Sequence, residues 1–283
     1  MEKKCLTSNQ GMLICPMTKE IAIKSKKTTI YAKLRGDLVK PMVFLHGFTG
    51  SHQCWDEVVS YLGYSTIAFD LPGHGKSTFN RLDDGYSESD WCNDLNGVLK
   101  FLNLEKISLC GYSMGGRLAI AFASRYPDKI EKLILESSCL GIKDHNLRKK
   151  RYIQDLILCN EIEADLVTFV SKWENNQLFT NQEERNIKGF LKQRKYRLLS
   201  NPMQLSKALK SFSQGTLDHM DKMFSDFKFP VKIITGSDDS KYGFIAKEML
   251  KVNNNVIRKV IPDSGHNTHL EQSTHFIDFL KSF

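Results

Sequence analysis

Three short segments of this chain carry residue types that do nucleophilic or proton-transfer chemistry when they converge. Residues 107–117 read ISLCGYSMGGR. The β-branched and apolar run 107–110 leads into Gly111-Tyr112-Ser113-Met114-Gly115, and an alanine-rich stretch, 118–123, follows. A serine at a sharp turn between a strand and a helix has its hydroxyl pushed out of the sheet, above the positive end of the helix. Small neighbours suit that turn, because it leaves no room for Cβ atoms beside the serine. Downstream, residues 231–235 (VKIIT) form an apolar run broken by Gly236-Ser237-Asp238-Asp239. Residues 256–261 (VIRKVI) form the next, ended by Pro262 and followed by Ser264-Gly265-His266. His266 is placed to take the Ser113 proton, and one of the two aspartates to fix the imidazole tautomer and stabilise the imidazolium. His269 opens the last helix, which predicts a surface or capping role, and His74, in the loop 70–77, reads as structural.

These groups need a scaffold that holds three loops at one edge. Residues 20–24 and 29–34 form a hairpin turned at Ser25-Lys26-Lys27. Strands and helices then alternate to about residue 138, the pattern of a mostly parallel sheet with helices on both faces. Residues 90–103 make a helix with Trp91, Leu95, Val98, Leu99 and Leu102 on one side. From 141 to 214 the strand signal gives way to helical periods and many charges. Alternation resumes at Val231 and closes with a helix over 269–283 that carries Phe276, Ile277, Phe279 and Leu280.

The order serine, acid, histidine, each in a loop after a strand, resembles the α/β-hydrolase fold. The resemblance implies Asp239 as the acid, since the loop matches the family's G-x-x-D counted from Gly236, with Asp238 as the alternative. It also implies an oxyanion hole. The strand 41–45 runs into His46-Gly47-Phe48-Thr49-Gly50, and in this fold that loop supplies one backbone N–H while the residue after the serine supplies the other. Those donors are Phe48 and Met114. The expected organisation is an extension over 1–18, a core over 19–140 and 215–283, and a helical cap over 141–214.

Bulk properties agree with one such domain. The 283 residues suffice for a sizeable core plus an insertion, and 41% hydrophobic and 25% charged residues are ordinary for a globular protein. Seven cysteines form no CxxC pair and no metal-ligand spacing, which points to reduced thiols and a cytoplasmic location. No run approaches the roughly 18 apolar residues of a membrane span. The apolar patch 12–15 is stopped by Pro16, too short for a secretion signal. The net charge is +8, and residues 141–214 carry 14 Lys and Arg against eight Asp and Glu. No nucleic-acid-binding motif accompanies this charge, so a basic lid over the site points instead to an anionic small-molecule substrate. The oligomeric state is not encoded in any of these features.

The arginines refine the reading. Arg117 lies four residues after Ser113, one turn along the same helix, where a cation opposes the helix dipole and calls for an anionic partner. With it, the chain resembles the 2-succinyl-6-hydroxy-2,4-cyclohexadiene-1-carboxylate synthase family of menaquinone biosynthesis over residues 40–283. The likeness is strongest in H-G-F-T-G-S, L-P-G-H-G-K-S, G-Y-S-M-G-G-R and S-G-H-N-T-H-L-E. Arg151-Tyr152-Ile153-Gln154-Asp155 resembles the family's R-x-x-x-D helix start, and Trp173 its cap tryptophan. Arg197 resembles its second cap arginine, and Asp239-Ser240-Lys241-Tyr242 its D-S-K-aromatic turn. Ser138-Cys139-Leu140-Gly141 stands where the family has a Pro-Gly turn.

That resemblance implies a lyase that expels pyruvate from 2-succinyl-5-enolpyruvyl-6-hydroxy-3-cyclohexene-1-carboxylate, with no metal or organic cofactor. Ser113, Asp239 and His266 are then catalytic. Tyr112, Arg117, Arg151, Trp173, Arg197 and Lys241 bind a tricarboxylate, each carboxylate needing a cation in a partly dry pocket. A carbon–carbon hydrolase or carboxylesterase would use the same triad but has no need of three arginines at one pocket. A non-catalytic relative is disfavoured because all three triad positions are filled.

Overall fold

The computed structural model describes residues 17–282. β1 (Thr18–Lys24) and β2 (Thr28–Arg35) form an antiparallel hairpin whose turn is closed by Ser25 Oγ, which accepts the Lys27 and Thr28 N–H groups. β3 (Met42–Leu45), β4 (Thr66–Phe69), the two-residue β5 (Thr78–Phe79), β6 (Ile107–Tyr112), β7 (Ile130–Glu136), β8 (Val231–Gly236) and β9 (Val256–Ile261) complete one sheet. The spatial order is β1-β2-β4-β3-β6-β7-β8-β9, with β5 paired to β2. Every pairing from β4 to β9 is parallel. Parallel strands must be covered on both faces, and every residue of β3, β4 and β8 is buried accordingly.

Helices α1 (Asp56–Tyr61), α2 (Glu88–Phe101) and α3 (Met114–Arg125) alternate with the early strands. Between β7 and β8 the chain forms α4 (His145–Ala164), α5 (Leu166–Glu174), α6 (Gln182–Arg185), α7 (Ile187–Leu198), α8 (Pro202–Ser211) and α9 (Asp221–Ser225). α10 (Ser240–Val252) links β8 to β9, and α11 (Thr268–Glu271) and α12 (Ser273–Lys281) follow β9. Trp91 of α2, Phe122 of α3 and Met249 of α10 pack in the core on one face of the sheet. Val58 of α1 and Phe276 of α12 pack with Trp55 on the other. The inserted helices have a small core of their own, built from Cys159, Ile162, Phe169, Val170, Leu205 and Leu209. No helix among the described residues is long and apolar enough to cross a membrane.

This topology decides where a site can form. After β3 the chain crosses to β4 on one side, whereas β6 lies on the other. The loops leaving β3 and β6 therefore diverge and open a crevice at the C-terminal ends of the strands, the place where open parallel sheets bind ligands. Ser113 and Phe48 border that crevice.

Several elements differ from the sequence-based expectation, each for a local reason. α2 starts at Glu88 rather than at residue 90, because Ser87 and Asp90 cap each other's backbone N–H groups in a reciprocal box. The expected last helix is two helices, broken at Gln272 (φ −138°, ψ 58°). The break lets the Glu271 carboxylate turn back onto the Gly265 and Asn267 N–H groups. His269 is not a surface residue: it is only 2% exposed. Gly141 supplies the turn that the family makes with Pro-Gly, at φ +93°, a region open to glycine at little cost, and Met220 N–H is bonded to Leu140 O beside it. Thr18 already belongs to β1, and residues 1–16 of the expected extension lie outside the described residues.

Candidate active site

Ser113 takes φ 51° and ψ −109°, a strained conformation for a residue with a Cβ, between β6 and α3. Its N–H is held by Glu136 O at 2.9 Å. The glycines around it are needed for space. A Cβ on Gly111 would lie 2.5 Å from Gly115 O, and one on Gly115 would lie 2.4 Å from Leu45 O and 2.5 Å from His46 O. α3 thus lies directly against the end of β3, and the two loops of the crevice are pressed together. Gly115→Ala is expected to lower the melting temperature by several degrees through overpacking of about 1–3 kcal/mol. It should also impair activity by pushing the β3 loop away. Calorimetry and steady-state rates check it, with Gly97→Ala as control, since a Cβ there meets nothing.

The Ser113 hydroxyl donates to His266 Nε2 at 3.1 Å, and His266 Nδ1–H donates to Asp239 Oδ2 at 2.7 Å. His266 and Asp239 are both buried. Asp239 also caps α10, accepting the Tyr242 N–H at 3.0 Å, so its second oxygen is free to hold the imidazole. Asp238 points elsewhere: it is half-exposed and pairs with Arg185 of α6. Geometry therefore joins Asp239, and not Asp238, to His266.

The β3 loop faces Ser113 across the crevice. Neither Phe48 N–H nor Met114 N–H has an acceptor among the described residues, and both residues line the chamber that contains Ser113. Their setting is rigid. Burial pushes His46 down to about 4, which keeps the ring neutral. Its Nδ1–H then donates to Gly47 O at 2.7 Å while Nε2 accepts Leu71 N–H at 3.0 Å. A Cβ on Gly47 would strike the Tyr112 ring at 2.7 Å. Buried His74 stands edge-on to Phe48 with ring centres 5.7 Å apart, a packing role.

A cleft of about 880 Å³ between α4, the 173–185 segment and the Asp239 loop narrows to a chamber of about 80 Å³ over Ser113. Arg151, Trp173, Lys241 and His266 line both. Arg117 lines the inner chamber and is 6% exposed. It donates to Phe212 O at 3.0 Å, its Nε is buried without a partner, and no carboxylate among the described residues forms an ion pair with it. Arg151 differs, since Asp155 accepts from its Nε at 2.8 Å. Lys241 is exposed and makes no ion pair among the described residues. Tyr112 and Tyr242 flank His266, at ring-centre distances of 5.4 and 4.5 Å. Burial holds the Tyr112 phenol well above its usual range and pushes Tyr242 up to about 12, so both stay protonated. Trp173 lies edge-on to Phe48 at 5.4 Å.

Arg197 is the departure from expectation. It is 3% exposed and lines neither cavity. Its guanidinium binds Glu174 Oε1 at 3.0 Å and Thr49 Oγ1 at 3.1 Å. The buried Glu174 already supplies its counter-charge, and the contact braces Thr49, which sits at φ 65° next to Phe48.

Sequence reasoning missed Arg185, Glu271 and Glu136. Arg185 reaches from α6 to Glu271 as well as to Asp238, and Glu271 in turn holds the N–H groups on both sides of His266. The S-G-H-N-T-H-L-E match contained Glu271, but nothing in it reveals a partner 86 residues away.

The sequence profile of the alpha/beta hydrolase fold family matches residues 40–273. A provisionally assigned 2-succinyl-6-hydroxy-2,4-cyclohexadiene-1-carboxylate synthase of Bacillus subtilis (strain 168) is 34% identical over 86% of this chain and 89% of its own length. The synthase of Enterobacter sp. (strain 638) is 31% identical over 81% of this chain and 86% of its own. The solved structure of MenH from S. aureus superposes with a TM-score of 0.82 at 29% identity, covering 91% of this chain and 97% of that one.

Proposed function

The chain belongs to the α/β-hydrolase fold family, and within it to the 2-succinyl-6-hydroxy-2,4-cyclohexadiene-1-carboxylate synthases, and from that premise we propose that it is a lyase of menaquinone biosynthesis. Its substrate is 2-succinyl-5-enolpyruvyl-6-hydroxy-3-cyclohexene-1-carboxylate, and Ser113 acts as a base rather than as an acylated nucleophile. His266 takes the Ser113 proton as the serine oxygen removes the ring proton at C2, beside the succinyl ketone. The developing enolate oxygen is received by the Phe48 and Met114 N–H groups. The electron pair then moves through the C3–C4 double bond and the C5–O bond breaks. The leaving group departs as the enolate of pyruvate and becomes pyruvate by taking up a proton at its methylene carbon, while the 2,4-diene remains. Asp239 keeps His266 in the tautomer that can accept a proton and stabilises the imidazolium.

The observation that carries this reading is Arg117, a buried guanidinium beside Ser113 with which no carboxylate among the described residues forms an ion pair. A desolvated cation of this kind is costly unless a ligand brings the anion. A planar fork that grips a carboxylate by two bonds fits a substrate with three of them. Arg151 and Lys241 serve the other two carboxylates, while α4–α8 act as a cap over the cleft. The inner chamber is far below the roughly 300–1,000 Å³ of a small-molecule pocket, so the substrate occupies the outer cleft as well.

The test is pyruvate release from the enolpyruvyl substrate by purified protein, followed with a lactate dehydrogenase couple. Strong turnover of p-nitrophenyl esters without pyruvate release would favour an esterase. Enzyme quenched during turnover is expected to show an unmodified Ser113 peptide by mass spectrometry. A substrate-dependent mass increase there replaces the base mechanism with a covalent one.

A further inference from the structure

Glu136 is the last residue of β7 and its side chain is fully buried. It touches both halves of the site at once. Its carbonyl accepts the Ser113 N–H at 2.9 Å and so holds the strained turn. Its carboxylate reaches the loop that carries His266. Oε1 accepts the Thr268 hydroxyl at 2.7 Å and the His269 N–H at 2.9 Å, and Oε2 accepts His269 Nδ1–H at 2.6 Å.

We propose that Glu136 is a positioning residue that sets the distance between Ser113 and His266, by clamping the serine turn through its backbone and the histidine loop through its carboxylate. The inference rests on the reading that Ser113 and His266 exchange a proton.

Three features support a positioning role over simple packing. A buried ion pair adds little net stability over an apolar residue of similar volume, so folding alone does not explain a carboxylate here. The imidazole of His269 is wedged between Trp55, stacked at 4.1 Å, and Tyr112, edge-on at 5.1 Å. Burial disfavours its charge, but the Glu136 carboxylate, together with the neighbouring Cys54, more than offsets this and holds it protonated up to about 9. The loop then has little freedom, because Glu271 fixes the N–H groups of Gly265 and Asn267 while Glu136 fixes the two residues that follow. His266 is thus bracketed by the two Glu271 contacts, and Glu136 anchors the chain directly after them.

The test uses Glu136→Met, which keeps volume without the acceptors, and Glu136→Gln, which keeps one acceptor oxygen. For both, kcat for pyruvate release is expected to fall, at least tenfold for Met and less for Gln, with KM within about twofold of wild type. Circular dichroism at the assay temperature confirms folding, and if the Met variant does not fold, the Gln variant decides. Crystal structures of wild type and variant read the geometry separately, and the 3.1 Å Ser113–His266 contact is expected to open beyond hydrogen-bond reach. A kcat within twofold of wild type in a folded variant, or an unchanged contact, overturns the proposal. If wild type itself releases no pyruvate, the lyase reading fails and the contact alone judges this one.

Discussion

Ser113→Ala, His266→Ala and Asp239→Asn are each expected to lower kcat for pyruvate release by about 10²–10⁴-fold, the usual contribution of a positioned acid or base. Asp238→Asn should leave it within about threefold. The asymmetry between two adjacent aspartates follows from their directions. Asp239 Oδ2 lies 2.7 Å from His266 Nδ1, so an amide that presents its NH2 there forces Nδ1 to become the acceptor. The proton then moves to Nε2, which can no longer take one from Ser113. Asp238 spends its charge on Arg185, and losing it leaves Arg185 still bound to Glu271. Rates with circular dichroism and melting curves for the four variants decide the matter. Equal losses from Asp238→Asn and Asp239→Asn would mean that the acid loop rearranges when substrate binds and that the assignment of roles is wrong.

Arg117→Met and Arg151→Met should move activity in the same direction and stability in opposite ones. For Arg117 the loss of a desolvated charge contact to substrate is about 2–5 kcal/mol, a fall of roughly 30- to 4,000-fold in kcat/KM. Yet without substrate this guanidinium is buried with one carbonyl partner and an unsatisfied Nε, so an apolar replacement removes a burden. The melting temperature of the free enzyme is expected to hold or rise. Arg151 pairs with Asp155, which is 1% exposed and otherwise bonded to Ser213 Oγ at 2.6 Å. Removing Arg151 strands that carboxylate, so the melting temperature should fall along with kcat/KM. Lysine at either position restores activity only partly, because a point charge cannot reproduce the fork. Lys149 of α4 and Lys192 of α7 serve as controls. If Ala variants of all four cations lower activity alike, the charge acts as a diffuse field and there is no dedicated carboxylate pocket.

Much of the scaffold was legible because the relevant physics is local. Buried parallel strands read as short apolar runs, and β3, β4, β6, β7 and β8 all do. G-x-S-x-G reads as a strand-to-helix turn because a Cβ at Gly111 or Gly115 meets backbone at 2.4–2.5 Å. The start of α2 is also set locally: the Ser87–Asp90 box begins the helix at Glu88, ahead of the apolar period. Arg197 and His269 stand elsewhere than their sequence positions suggest for another reason. Both are polar residues whose surroundings are set by distant chain. Arg197 has Glu174 and Thr49 as partners, 23 and 148 residues away, and His269 has Glu136, 133 residues away. A sequence shows that a charge exists and not whether another charge already answers it.

The sequence by itself determined the order of strands and helices, the serine turn, the acid and histidine loops, and the surplus of cations between β7 and β8. Each of these depends on residue type and spacing within about one element, where steric and hydrophobic rules act on neighbours. Only the tertiary structure decided which aspartate meets His266, that Arg151 and Arg197 are ion-paired while Arg117 forms no ion pair among the described residues, and that Glu136 ties the serine turn to the histidine loop. These are matters of ångströms between segments far apart in the chain. They are set by strand order and by the close contact of α3 with β3, because charge pairing and hydrogen bonding depend on distance and direction that spacing along a sequence does not contain.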